Sequence, residues 1–295
     1  MRMWSELDCE VREHYELKHI TTMGVGGPCA YYVAPHGLNA LEPIYAKCRE
    51  QGLPVLAVGN GSNLLVDDSG YAGVVIHLGR RLKGMRLEGD TLIAEAGLPM
   101  PRLAWAMAKK GLAGFEFMAG IPGTVGGGVV MNAGCIGRDT ADVLNAVTYL
   151  DEQGVLHRKL ASELGLGFRT SALQGTRCLI LEAEFRVQRG DAQEDVMART
   201  RAAADIRKGK FPLHVATVGS TFKSPPAGPH PGRLIEEVGL KGHRVGGAEI
   251  SQVHANWIIN LGTATAQDVK RLMHVMQETV VRKLGIEMEP EVLIV

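Results

Sequence analysis

The sequence predicts an α+β protein, and three observations carry that prediction. Apolar segments of period two and apolar stripes of helical period both recur along the chain, with neither dominating. The 295 residues suffice for roughly two domains of about 150 residues each, and a charged helical stretch at 191–208 reads as a domain joint. The glycines are unevenly placed: residues 24–137 hold 22 of the 37. Apolar runs interleave with them, so this stretch is no linker. Tight turns, positive φ angles or backbone packed against something are required there, and a large ligand cradled by main chain is the expectation.

The elements follow in order. Leu41, Ile44, Tyr45 and Cys48 share one helical face within 39–51, and Gly52 stops that helix. Pro54–Val58 reads as a buried strand, broken at Gly59-Asn60-Gly61-Ser62-Asn63. Leu64–Val66 and Val74–Ile76 read as short strands, and Met85–Leu87 with Thr91–Ala94 as a hairpin about Glu88-Gly89-Asp90. A helix is expected at 101–110 and a shorter one at Val125–Met131. Val143–Leu150 and Val155–Leu160 make a second hairpin, and Cys178–Val187 alternates as a strand. A Pro/Gly loop fills 225–232. Thr265 and Asp268 form a capping-box variant before the stripe Val269, Leu272, Met273, Met276 and Val280, which Gly285 closes. Glu291–Val295 reads as a last strand.

Much is excluded. Lys+Arg and Asp+Glu are each 32, which argues against holding nucleic acid or anionic lipid by bulk charge. Five scattered cysteines without a CxxC argue against a disulfide framework or zinc site, and no metal is expected. Met1–Glu6 lacks the apolar core of a signal peptide, and no apolar run reaches about 18 residues, so a cytoplasmic protein is expected, and a monomer. Glycine pairs two apart never complete GxGxxG: Cys29, Leu64 and Met131 stand where the third glycine belongs. Walker A, HExxH and GxSxG motifs are absent too.

Two glycine loops remain. Gly59-Asn60-Gly61-Ser62-Asn63-Leu64 lies between apolar strands and has the makeup of an anion nest for a diphosphate. The second runs from Gly120-Ile121-Pro122-Gly123-Thr124 through Gly126-Gly127 to Asn132-Ala133-Gly134, with a helix start after Thr124 that would add a positive dipole end. On composition alone, two ligand-free turns are an equal reading. In order along about 20–295, the chain resembles the UDP-N-acetylenolpyruvoylglucosamine reductase family, within the wider flavin family that includes vanillyl-alcohol oxidase. The resemblance is carried by the two loops, Thr21-Thr22 with Gly26-Gly27, Phe168-Arg169-Thr170-Ser171, Gly219-Ser220-Thr221-Phe222-Lys223, 239–248 and Glu289-Pro290-Glu291-Val292. It implies FAD held by these loop residues, NADPH as co-substrate, FAD-binding lobes at 1–80 and 81–195, and a substrate-binding α+β domain at 196–295 whose last strand returns to the second lobe.

Reducing an enolpyruvyl ether requires hydride at the terminal alkene carbon and a proton at its neighbour, with an enediolate-like charge between. Arg169 suits the substrate carboxylate, because guanidinium grips it bidentately. Alone it reads more readily as a surface or structural ion pair, Ser220 as a turn serine and Glu291 as a solvated charge. The resemblance implies that Ser220 is the proton donor and that Glu291 stabilises the intermediate. Lys223, Arg233, Lys241 and Arg244 form a basic cluster suited to the UDP diphosphate and, in turn, the NADPH phosphates. Gln252 and Asn256, flanking His254, are expected to reach substrate amides or hydroxyls, while Trp105 and Trp257 read as packing.

Three positions depart from the family pattern. Phe168 replaces a usual Tyr, Val218 a small residue or Cys, and Leu293 an Arg. The compact 220–256 segment resembles the shorter class, which lacks a substrate-covering insertion. Two rivals stand beside the reductase: an alcohol or hydroxyacid oxidase of the same fold, and a non-redox nucleotide-sugar-binding protein.

Overall fold

The computed structural model describes residues 2–210, 215–224 and 228–295. Pro225-Pro226-Ala227 of the expected loop lie outside the described residues. The chain divides into two compact units, one of residues 1–14, 30–60 and 72–207, the other of 15–29, 61–71 and 208–295.

The first unit holds two sheets. Strands β1 (Cys9–Glu16), β2 (Pro28–Pro35), β3 (Val55–Val58) and β5 (Tyr71–His77) form a sheet of order β1-β2-β5-β3, while β4 (Leu64–Leu65) stands apart from it. The second sheet comprises β6 (Met85–Glu88), β7 (Thr91–Glu95), β10 (Leu144–Leu150), β11 (Leu156–Leu160) and β12 (Leu179–Arg186), in the order β11-β10-β12-β7-β6. Between β7 and β10 a small hairpin pairs β8 (Gly134–Cys135) with β9 (Arg138–Asp139). Helix α1 (Leu41–Glu50) buries the four side chains its spacing predicts, Leu41, Ile44, Tyr45 and Cys48. Helices α2 (Met100–Ala108) and α3 (Val125–Val130) fall where the periodicity puts them. One apolar core is shared by α1, both sheets and α2, which is why two expected lobes make one compact unit.

The second unit has its own core, built on a sheet of β13 (Ala216–Ser220), β14 (Arg244–Val245), β15 (Ala248–Ile250) and β16 (Trp257–Asn260), ordered β13-β16-β15-β14. Helix α4 (Gln193–Lys210) occupies the predicted charged joint, and α5 (Pro231–Glu237) begins within the expected Pro/Gly loop. Helix α6 (Ala266–Leu284) carries the predicted box, with Thr265 accepting from the Asp268 N–H, and ends at left-handed Gly285. Its first N–H groups have a further acceptor: Asp68 takes those of Ala266 (2.8 Å) and Gln267 (3.0 Å).

The closing strand β17 (Leu293–Ile294) differs from expectation. It pairs in parallel with β4, inside 61–71, instead of returning to 81–195. Backbone bonds tie that segment into this unit: Gly27 N–H donates to Asp67 O, and Asp67 N–H to Val295 O, both at 2.8 Å. Among the described residues, no helix is long and apolar enough to cross a membrane.

Candidate active site

In the second unit, Ser220 ends β13 opposite Trp257 of β16. The ladder is irregular between Thr217 and Ser220, where Gly219 takes φ +81°. Beyond it the chain runs beside 289–291: Glu291 N–H donates to Thr221 O (2.8 Å), Lys223 N–H to Glu289 O (2.8 Å), and Phe222 bridges Pro290. The other backbone group of Glu291 is held too, since its carbonyl accepts from Asn63 Nδ2 at 3.0 Å and Leu293 N–H donates to Asn63 O. Ser220, Glu291 and the 61–63 half of the first glycine loop are thereby brought together. Gly61 has φ +59°, and a Cβ there would sit 2.9 Å from Thr21 Cα and closer still to the Ile20 carbonyl oxygen. Backbone contact therefore requires this glycine.

In the first unit the two glycine loops touch. Asn60 Nδ2 donates to Pro122 O at 3.0 Å, and Gly59 lies so close to Thr124 that a Cβ would overlap the threonine side chain. At Gly59 and Gly61 the glycine is required by close approach of protein to protein. Two N–H groups at the start of α3 have protein acceptors. Val125 and Gly126 N–H groups donate to Leu98 O (2.9 Å) and Ala96 O (2.8 Å), so they are already satisfied.

Arg169 lies in a tight turn, Gly167 and Thr170 exchanging backbone hydrogen bonds, and takes φ +55°, uncommon for a side-chain-bearing residue. Its guanidinium donates to Gly134 O (2.8 Å) and stacks over Phe168 at 5.1 Å. Asn132, expected at the cofactor, is buried, and its amide is fully engaged. Nδ2 donates to Asp139 (3.1 Å) and to Gly167 O (2.9 Å), and Oδ1 accepts from Ala141 N–H (2.9 Å). It props the Arg169 turn. Ala133 O is likewise taken by Thr140. No sequence signal pointed to these supports.

The substrate candidates are mixed. Lys223 pairs with Glu289 (2.6 Å), Lys241 with Glu236 (2.8 Å) and Arg244 with Glu249, while Arg233 is exposed on α5. Gln252 is exposed against Gly242. Asn256 is buried, with its amide on Phe222, and is a support rather than a surface that meets ligand. Burial, then Lys241, lowers the pKa of His254, and its Nδ1 accepts from Asn256 N–H at 3.2 Å, consistent with a structural histidine.

Each unit nonetheless carries loop donors suited to an anion. Among the described residues, the backbone N–H groups of Asn60, Gly123, Thr124 and Gly127 in the first unit have no protein acceptor, nor do those of Gly61, Ser62 and Asn63 in the second. Unpaired N–H groups in consecutive loop residues are the donors that an anion nest requires.

Comparison with known proteins agrees. A family model described as an FAD binding domain matches residues 29–159, and one described as the UDP-N-acetylenolpyruvoylglucosamine reductase C-terminal domain matches 211–295. A reductase of that name from Synechococcus sp. is 43% identical over 289 residues, covering 98% of this chain and 92% of the relative. One from Rubrobacter xylanophilus is 45% identical over 280 residues, covering 95% and 93%. The crystal structure of the Thermus caldophilus reductase superposes with a TM-score of 0.79 at 36% identity, covering 97% of this chain and 98% of that one.

Proposed function

The chain belongs to the UDP-N-acetylenolpyruvoylglucosamine reductase family, and on that premise we propose how its residues divide the reaction. The activity is FAD-dependent, NADPH-consuming reduction of UDP-N-acetylenolpyruvoylglucosamine to UDP-N-acetylmuramate, a step of peptidoglycan precursor synthesis. FAD held by the two glycine loops would supply the redox chemistry, passing the two electrons of NADPH on to the alkene as hydride. Ser220 Oγ–H gives the proton to the neighbouring carbon, completing addition of two hydrogens across the double bond. Arg169 grips the substrate carboxylate, and Glu291 stabilises the enediolate-like charge. The single observation that best supports this division is that Thr221, next to Ser220, holds the Glu291 backbone through its carbonyl.

Gly59–Leu64, Gly120–Thr124 with Gly126 and Gly127, and the Asn132–Gly134 segment hold FAD, and the last also builds the Arg169 turn. Lys223, Arg233, Lys241 and Arg244 serve the UDP diphosphate and, in turn, the NADPH phosphates, while Gln252 reaches substrate amides or hydroxyls. Exposed ion pairs are worth only about 0–1 kcal/mol, so an arriving phosphate readily exchanges with Glu289 or Glu236. By sheets, the first two serve FAD and the third the nucleotide sugar, corresponding to 1–80, 81–195 and 196–295. The proposal extends to a monomer acting in the cytoplasm.

The test is anaerobic and in two steps. NADPH should bleach the yellow protein, and the enolpyruvyl substrate should restore the colour. Ser220→Ala should keep the first step and slow the second by about 10²–10⁴-fold. A protein that takes up no FAD would sink the reductase reading, reoxidation by oxygen alone would favour an oxidase, and equal loss of both steps in Ser220→Ala would make Ser220 structural.

A further inference from the structure

The catalytic serine sits where ordinary strand pairing fails. The β13–β16 register shifts just before Ser220, and the next residues leave the ladder. Thr221 and Phe222 are nevertheless fully buried. On the β16 side the ladder is continued by one residue, through its side chain and its carbonyl. Asn256 Oδ1 accepts from Phe222 N–H at 3.0 Å, and Asn256 Nδ2 donates to Phe222 O at 2.8 Å. Its own carbonyl accepts from Thr221 N–H at 2.8 Å. A primary amide offers an acceptor and a donor side by side, so it satisfies both backbone groups of Phe222 as a neighbouring strand would. On the opposite side the same segment carries Glu291 through Thr221 O.

We propose that Asn256 is a positioning residue for the proton-transfer step: its amide clamps the 220–223 segment and so sets Ser220 in register with Glu291. This rests on the roles proposed above for Ser220 and Glu291. Asn256 acts through the Phe222 peptide. Alanine leaves a buried donor and acceptor unpaired, and the segment must shift to find partners. Aspartate keeps the volume and the acceptor but turns a carboxylate oxygen toward the Phe222 carbonyl, and protonation restores a donor there.

The experiment measures both half-reactions of the FAD-loaded protein, with wild type first. Wild type that is not bleached by NADPH or not reoxidised by substrate overturns the functional reading itself. With wild type competent, Asn256→Ala and Asn256→Asp should bind FAD and bleach at close to the wild-type rate, with substrate reoxidation slowed on the order of 10²-fold, as expected for a displacement near an ångström. In Asn256→Asp the reoxidation rate relative to wild type should recover as pH falls. If Asn256→Ala does not fold, the isosteric Asp variant decides. Reoxidation at the wild-type rate in either folded variant, equal loss of both half-reactions, or a pH-independent deficit in Asn256→Asp overturns the positioning role.

Discussion

Gly61→Ala tests whether the glycine loops are shaped by protein contact. Gly61 has φ +59°, and a Cβ there would meet Thr21 Cα at 2.9 Å, the Ile20 carbonyl carbon at 3.1 Å and its oxygen closer still. The left-handed conformation costs a side-chain-bearing residue about 1–2 kcal/mol. Forcing backbone apart adds about 1–3 kcal/mol, for a total of about 2–5 kcal/mol. Gly52→Ala is the control, because Gly52 has φ +63° and nothing within 4 Å; only the first cost applies. At about 2 °C per kcal/mol for a chain this long, Gly61→Ala should lower the melting temperature of the apo-protein by about 4–10 °C and Gly52→Ala by about 2–4 °C. Flavin fluorescence titration should show weakened FAD binding only in Gly61→Ala, since the N–H groups of 61–63 move with the loop. Equal melting of the two variants together with unchanged FAD affinity would refute the close-approach reasoning.

Two further outcomes follow from groups outside the reaction. His77 is half-buried, with Tyr32 Oη 2.9 Å from its Nδ1; burial first, then Arg80 and Lys83, pull its pKa from 6.5 to about 4 against the pull of the Gly59 carbonyl. A depressed folded-state pKa means that this stabilisation is complete above pH 6.5 and is lost as pH falls toward 4, so His77→Gln should flatten that part of the denaturation free-energy profile, and an unchanged slope would exclude His77 as its source. Asp68→Ala removes both acceptors from the start of α6 and should cost about 0.5–2 kcal/mol in urea unfolding, whereas wild-type stability would assign the whole cap to Thr265.

What could be read from the sequence was local. The α1 face and the α6 stripe, with Thr265, Asp268 and Gly285 at its ends, depend on neighbours a few residues away, and all lie as their spacing predicts. Strand β1 was silent because charged residues interrupt it and its exposure does not alternate cleanly. The glycine loops were visible as loops, but their cause was not: Gly59 answers to Thr124 and Gly61 to Ile20, contacts that no composition records.

The candidate site follows the same division at longer range. The resemblance supplied Arg169, Ser220 and Glu291, yet each is held by a residue that local rules pass over. Asn132 props the turn that presents Arg169, across 35 residues. Asn256 clamps the segment after Ser220, across 34, and Asn63 holds the Glu291 carbonyl, across 228. All three supports are asparagine amides, and each bonds backbone that lies outside a regular ladder. An irregular backbone can present a side chain at an angle no strand allows, but its buried peptide groups still need partners. A short side chain with a donor and an acceptor supplies them without adding charge.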